Sequence, residues 1–160
     1  MQEKIQIISD GSLDLSRELT RERDILVVPF YVSFDGETYL KEGVELDIRE
    51  FYQRMVDHPD VFPKTSMPSV DDYYQVFLPL AKQDVPMICI CITTKFSGSM
   101  QSATTARDMI LEEYPKARIT VIDAEINTVL QGLYVLEACR LRDLGWEYDR
   151  MVKRLDRKST

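Results

Sequence analysis

The sequence predicts an α/β domain: a mainly parallel sheet flanked by helices. Two observations carry that prediction. Apolar, β-branched runs alternate along the chain with stretches of helical periodicity. One run, Val85 to Ile92 (VPMICICI), is apolar throughout, as a strand buried on both faces is.

Each element follows from its local pattern. Ile5, Ile7 and Ile8 form a first strand that ends in the turn Ser9-Asp10-Gly11. Leu15 and Leu19, four apart among charges, mark a helix. Ile25 to Phe34 (ILVVPFYVSF) reads as one long strand, with Pro29 marking an edge or an irregularity. Asp35-Gly36 signals a hairpin, with Glu37 to Leu40 as its return strand. Asp47 and Glu50 resemble a capping box, and Ile48, Phe51, Tyr52 and Met55 then lie on one apolar helix face. The segment VFPKTSMPS reads as a loop, and Ser69 as the N-cap of a helix carrying Tyr73, Phe77, Leu80 and Ala81. After the Val85–Ile92 strand, Ala103, Ala106, Ile110 and Tyr114 mark a helix stopped by Pro115. Ile119, Val121 and Ile122 make a strand closing at Asp123. A helix over Thr128 to Leu144 follows, with Leu133, Tyr134 and Leu136 in its apolar body and Gly145 as its C-terminal stop. Met151, Val152 and Leu155 begin a last helix.

The totals narrow the function classes. A chain of 160 residues with 44% hydrophobic content suits one domain with a real core. The net charge of −7 disfavours nucleic acid and anionic membrane surfaces as partners. No run is long enough to span a bilayer and the N-terminus lacks a signal-peptide core, so a cytoplasmic location is expected, with transient membrane contact still compatible. Three cysteines make no disulfide framework. Cys89 and Cys91 share a strand face and read as small buried hydrophobes. The single histidine, His58, sits in a polar turn, and neither a metal nor a cofactor is expected.

In open parallel sheets ligands bind beyond the carboxyl ends of the strands. That rule singles out Ser9 to Ser12, Thr93 to Ser99 and the segment from Asp123. The turn Phe96-Ser97-Gly98-Ser99 joins a buried strand to a helix start. Unpaired N–H groups at a helix N-terminus favour an anion, Ser97 and Ser99 add hydroxyls, and Gly98 permits close approach. A carboxylate or a phosphate suits such a turn. Serine is also a preferred helix cap, which needs no ligand. A serine nucleophile is disfavoured, because the flanks do not match G-x-S-x-G and the only histidine is His58. The turn is not a Walker loop. Asp10, Asp14 and Asp123 read as turn and cap carboxylates, with a Mg2+ site as the alternative. Lys64-Thr65-Ser66 precedes a helix and forms a fourth candidate segment.

Taken together these segments resemble the DegV family, bacterial fatty-acid-binding proteins that serve fatty acid kinase. The resemblance rests on Ile8-Ser9-Asp10-Gly11-Ser12, Val27-Val28-Pro29-Phe30, Glu50-Phe51-Tyr52, Thr65-Ser66-Met67-Pro68-Ser69, Thr93 through Ala103, and Val121-Ile122-Asp123-Ala124. Their order and spacing cover nearly the whole chain. The chain departs from the family pattern at Thr94, Phe96, Met100 and Ala124, and its Ser9-Asp10-Gly11 matches the family's T-D-S imperfectly.

The resemblance implies that Thr65 and Ser97 hydrogen-bond a fatty acid carboxylate, with Ser66, Gly98 and Ser99 in support. It implies a lipid-binding protein that is no enzyme itself and that presents its long-chain fatty acid to a separate ATP-binding kinase subunit, which makes the acyl phosphate. It further implies that residues 1–160 correspond to the family's N-terminal lobe, and that its second lobe lies outside this sequence. Two alternatives stand beside this reading. One is a metal-dependent enzyme acting on a small phosphorylated or carboxylated substrate through Asp10 and Asp123. The other is a shortened lobe serving only protein contacts.

Overall fold

The structure, a computed structural model, describes residues 4–156. Its centre is a four-stranded parallel sheet of β1 (Gln6–Asp10), β2 (Ile25–Val28), β6 (Met87–Cys91) and β7 (Ile119–Asp123), in the order β2-β1-β6-β7. All five residues of β1 and all five of β6 are buried, which explains the unbroken apolar run of β6, while β1 also buries the polar Gln6, Ser9 and Asp10. Side-chain alternation splits the core in two. Ile7, Ile88, Ile90 and Ile122 pack against α5 (Thr128–Asp143) and α6 (Tyr148–Leu155). Ile8, Met87, Cys89, Cys91 and Val121 pack against α3 (Val70–Lys82) and α4 (Ser99–Glu113). Cys89 and Cys91 therefore do share a face, as free thiols with sulfurs 3.8 Å apart.

The run Ile25–Phe34 is not one strand. Proline cannot donate to a ladder, and the chain leaves the central sheet before Pro29. It re-enters a second, antiparallel sheet as β3 (Tyr31–Ser33), flanked by β4 (Leu40–Lys41) and β5 (Lys64–Ser66) in the order β4-β3-β5. A hairpin forms around Asp35-Gly36, but its return strand is Leu40–Lys41 rather than Glu37 to Leu40, because Asp35 holds Glu37 and Thr38 in the turn. Asp35 Oδ1 accepts from the Ser33 hydroxyl and from the Glu37 and Thr38 N–H groups, and Gly36 takes φ 78°. These bonds hold the Asp35 carboxyl well below its ordinary value. The segment Lys64–Ser66, expected to be a loop, is an edge strand whose partner β3 is distant in sequence.

Two helices differ from their patterns. In α2 (Ile48–Asp57) the cap is as expected, with Asp47 accepting from the Arg49 and Glu50 N–H groups, but no residue of the helix is buried. Ile48, Tyr52 and Met55 are exposed, while Phe51 packs against Phe34. In α5, Leu133 lies on the exposed side at 56% accessibility, and the buried line is Gln131, Gly132, Val135, Ala138, Cys139 and Leu141. The deciding contact is at Gly132, where a Cβ would sit 2.3 Å from the Leu13 carbonyl oxygen. That approach turns the helix by its glycine rather than by its leucines. Gly145 ends α5 in the left-handed region at φ 78°. The short α1 (Arg17–Glu22) is capped by Ser16 and packs beside β2. No helix among the described residues is long and apolar enough to cross a membrane.

Candidate functional site

The sheet order places β2 on one side of β1 and β6 on the other. The chain therefore reverses its winding between β1 and β6, and the crevice at their carboxyl ends is the expected ligand position. Asp10 ends β1 there. Its Oδ2 accepts from the Ile92 N–H at 2.9 Å and the Ser99 hydroxyl at 2.8 Å. Its Oδ1 accepts from Gln131 Nε2 at 2.8 Å and the Ser12 N–H at 3.3 Å. Burial pushes the Asp10 carboxyl above its ordinary value, and the four donors partly offset this. Gln131 Nε2 also reaches the Ser9 hydroxyl, while its Oε1 is buried without a hydrogen-bond partner among the described residues.

The Ser97 turn hangs from this crevice. The Thr94 N–H and hydroxyl both reach Asp123 Oδ2, the latter at 2.7 Å, and the Thr93 N–H reaches the Ile126 carbonyl. These bonds tie the turn to the end of β7. The Phe96 and Ser97 N–H groups then close back on the Thr93 carbonyl. The N-cap of α4 is Gly98, which has no side chain to cap with, and Ser97 Oγ accepts from the Ser99 N–H at 3.1 Å instead. With that lone pair engaged, the half-buried Ser97 hydroxyl has its hydrogen to offer. Ser99 is fully buried, and its hydroxyl donates inward to Asp10. Tyr73 Oη, 2.6 Å from Ser99 Oγ, must then be the donor in that pair. Ser99 thus supports the turn from inside, rather than by reaching outward to a ligand.

A second carboxylate positions the Thr65 segment. Asp72, in the first turn of α3, accepts from the Ser69 N–H and hydroxyl, closing a capping box. It also accepts from Tyr31 Oη at 2.9 Å and pairs with Lys41 Nζ at 2.9 Å. Burial alone would raise its pKa, but the bonds from Ser69, Lys41 and Tyr31 outweigh it and bring the carboxyl to about 2. Tyr31 and Lys41 belong to β3 and β4, so Asp72 fastens the small sheet to α3. Thr65, opposite Val32 in that sheet, is exposed, and its hydroxyl has no partner among the described residues.

The two segments meet. Met67, two residues after Thr65, lies so close to Gly98 that a Cβ there would be 2.8 Å from Met67 Sδ. Thr65, Ser66, Ser97 and Gly98 thus share one region of the surface, flanked by exposed Phe96 and Met67. Lys64 instead lies over the hairpin turn, against Gly36. Three cavities, of about 520, 280 and 640 Å3, open around α2, and none of the three is lined by Thr65 or Ser97. Sequence reasoning missed Tyr73, Gln131 and Asp72 as builders of the site. Only the capping pattern at Ser69 carried any signal of them, because their partners lie in distant segments.

A family model described as an uncharacterised protein of the DegV family matches residues 4–159. A DegV domain-containing protein of Caldanaerobacter subterraneus is 37% identical over 150 residues, covering 94% of this chain and 51% of that protein. Among solved structures, a stearic acid-binding protein from Eubacterium ventriosum superposes with a TM-score of 0.91 at 46% identity, over 95% of this chain and 52% of its own. The fatty acid-binding DegV of Bacillus subtilis superposes with a TM-score of 0.83 at 27% identity, over 96% of this chain and 53% of its own. The chain thus spans about half the length of the relatives it matches. With agreement running from the first described strand to the last helix, the chain belongs to the DegV family.

Proposed function

We propose that the chain binds a long-chain fatty acid by its carboxylate, at Thr65 and Ser97, and presents that carboxylate to a separate ATP-binding kinase subunit. The observation that carries this reading is the meeting of the Thr65 segment and the Ser97 turn, through Met67 and Gly98, at the carboxyl ends of the central strands. Each segment brings a hydroxyl with a hydrogen to donate, which is what an acceptor-only carboxylate needs. The stearic acid-binding and fatty acid-binding relatives support the choice of anion. Exposed Phe96 and Met67 supply apolar surface beside the head group, and the acyl chain gains about 0.8 kcal/mol for each methylene it buries.

The position of the hydroxyls supports presentation rather than catalysis. Thr65 is exposed and Ser97 half-buried, so a carboxylate held there stays within reach of a second protein. The kinase would transfer the γ-phosphoryl group of ATP to a carboxylate oxygen, releasing ADP and leaving an acyl phosphate on this chain. A metal-dependent enzyme fits less well, because Asp10 and Asp123 already accept hydrogen bonds on both carboxylate oxygens.

The test is palmitate binding by calorimetry, with mass spectrometry of lipid extracted from the purified protein. Thr65→Val with Ser97→Ala should weaken binding by on the order of a hundredfold or more, since two hydrogen bonds to a charged group are lost. Absence of palmitate binding by the wild-type chain refutes the reading, and unchanged affinity in the double variant removes these residues from the site. Acyl phosphate formed by the chain and ATP without a kinase would refute the presenter role.

A further inference from the structure

We propose that Asp10 is a positioning residue for the head-group site, acting through Ser99 to fix Ser97 as a hydrogen-bond donor. The proposal rests on the fatty acid reading and extends it to a residue that cannot touch the ligand, because Asp10 is fully buried. Two hydrogen bonds separate the Asp10 carboxylate from the Ser97 hydroxyl. Ser99 Oγ donates to Asp10 Oδ2 at 2.8 Å, and the N–H of the same Ser99 donates to Ser97 Oγ at 3.1 Å.

The chemistry of the chain gives each link a direction. An ionised carboxylate only accepts, so Ser99 must give it the hydroxyl hydrogen. Tyr73 then fills the vacated lone pair of Ser99 Oγ, at 2.6 Å. Ser99 is held with its side chain inward at the first position of α4, and its N–H is held toward Ser97. Ser97 Oγ spends a lone pair on that N–H, which bars its own hydrogen from that side and leaves the hydrogen to be donated to a ligand. The same carboxylate accepts from the Ile92 N–H, just beyond β6, so the strand exit and the helix start are referred to one atom, Oδ2. The site therefore reaches a ligand with a hydrogen-bond donor, which favours a charged carboxylate over a neutral hydroxyl, because the hydroxyl accepts from Ser97 more weakly.

The experiment compares palmitate with hexadecanol, which has the same tail and a neutral hydroxyl head, on the wild-type chain, Asp10→Asn, Ser99→Ala and the double variant. Asp10→Asn sets an amide donor against other donors. Ser99→Ala removes only the link and is the smaller perturbation should Asp10→Asn not fold. The expected result is palmitate affinity lower by on the order of tenfold in each single variant and no lower in the double, with hexadecanol affinity within about twofold of wild type throughout. A purely structural role for Asp10 would lower both ligands together. That outcome overturns the proposal, as does wild-type palmitate affinity in folded Ser99→Ala. Failure of the wild-type chain to bind palmitate overturns the fatty acid reading itself, and the proposal with it.

Discussion

Asp72 is where a single change should separate the small sheet from the central domain. Asparagine keeps the size and one acceptor oxygen, which can still serve the Ser69 N–H and preserve part of the α3 cap. Its amide nitrogen then faces donors, Tyr31 Oη and Lys41 Nζ, each 2.9 Å from the native carboxylate. Hydrogen bonds to a charged group contribute roughly 1.5–3 kcal/mol when sheltered and less near solvent. With Lys41 partly exposed, the low end applies, and Asp72→Asn should lose about 2 kcal/mol. For a domain of this size that lowers Tm by roughly 4–8 °C. The effect has a pH signature. The carboxyl is held at about 2 against an ordinary 3.8, so its stabilisation is fully present above the ordinary value and is lost as pH falls through the native one. Urea unfolding of wild type and variant, from neutral pH into that window, should show their difference shrinking as acid is added. A Tm within about 1 °C of wild type at neutral pH, or a difference that does not narrow in acid, would refute the role given to Asp72.

Gly132→Ala should destabilise the fold by about 1–3 kcal/mol or more, because the new Cβ meets backbone, the Leu13 carbonyl, rather than a side chain that can swing away; an unchanged denaturation midpoint would contradict this. The three cysteines are buried, burial pushes the Cys89 thiol up and the Cys139 thiol up to about 11, and all three should resist a disulfide reagent such as DTNB in the native state and react after denaturation. Rapid native labelling of Cys89 would contradict the placement of β6 at the centre of the sheet.

The strands β1, β6 and β7 and the helices that cover them were legible in the sequence, because they obey rules of short range. Burial on both faces forces the continuous apolar run of β6, and Asp35-Gly36 and Gly145 fulfil local turn chemistry. The sequence also marked the Thr65 segment and the Ser97 turn, since small hydroxylated residues before a helix or at a strand end are visible without coordinates. What it left undecided was which long-range partner each element meets. Lys64–Ser66 looks like a loop until β3 arrives beside it, and the α2 stripe looks like a core face although Ile48, Tyr52 and Met55 stay exposed in the described fold. Leu133 satisfies the helix pattern but loses the buried side of α5 to Gly132, whose missing side chain admits the Leu13 carbonyl. Asp10 shows the division most plainly. As a residue at a strand end it reads as an ordinary turn carboxylate. Its four donors come from Ser12, Ile92, Ser99 and Gln131; the pairing of β6 with β1 brings Ile92, and the packing of α4 and α5 against opposite faces of one sheet brings Ser99 and Gln131. Hydrogen bonds act over about 3 Å, whereas Ile92, Ser99 and Gln131 stand 82 to 121 positions away along the chain, so the tertiary fold alone determines whether they meet.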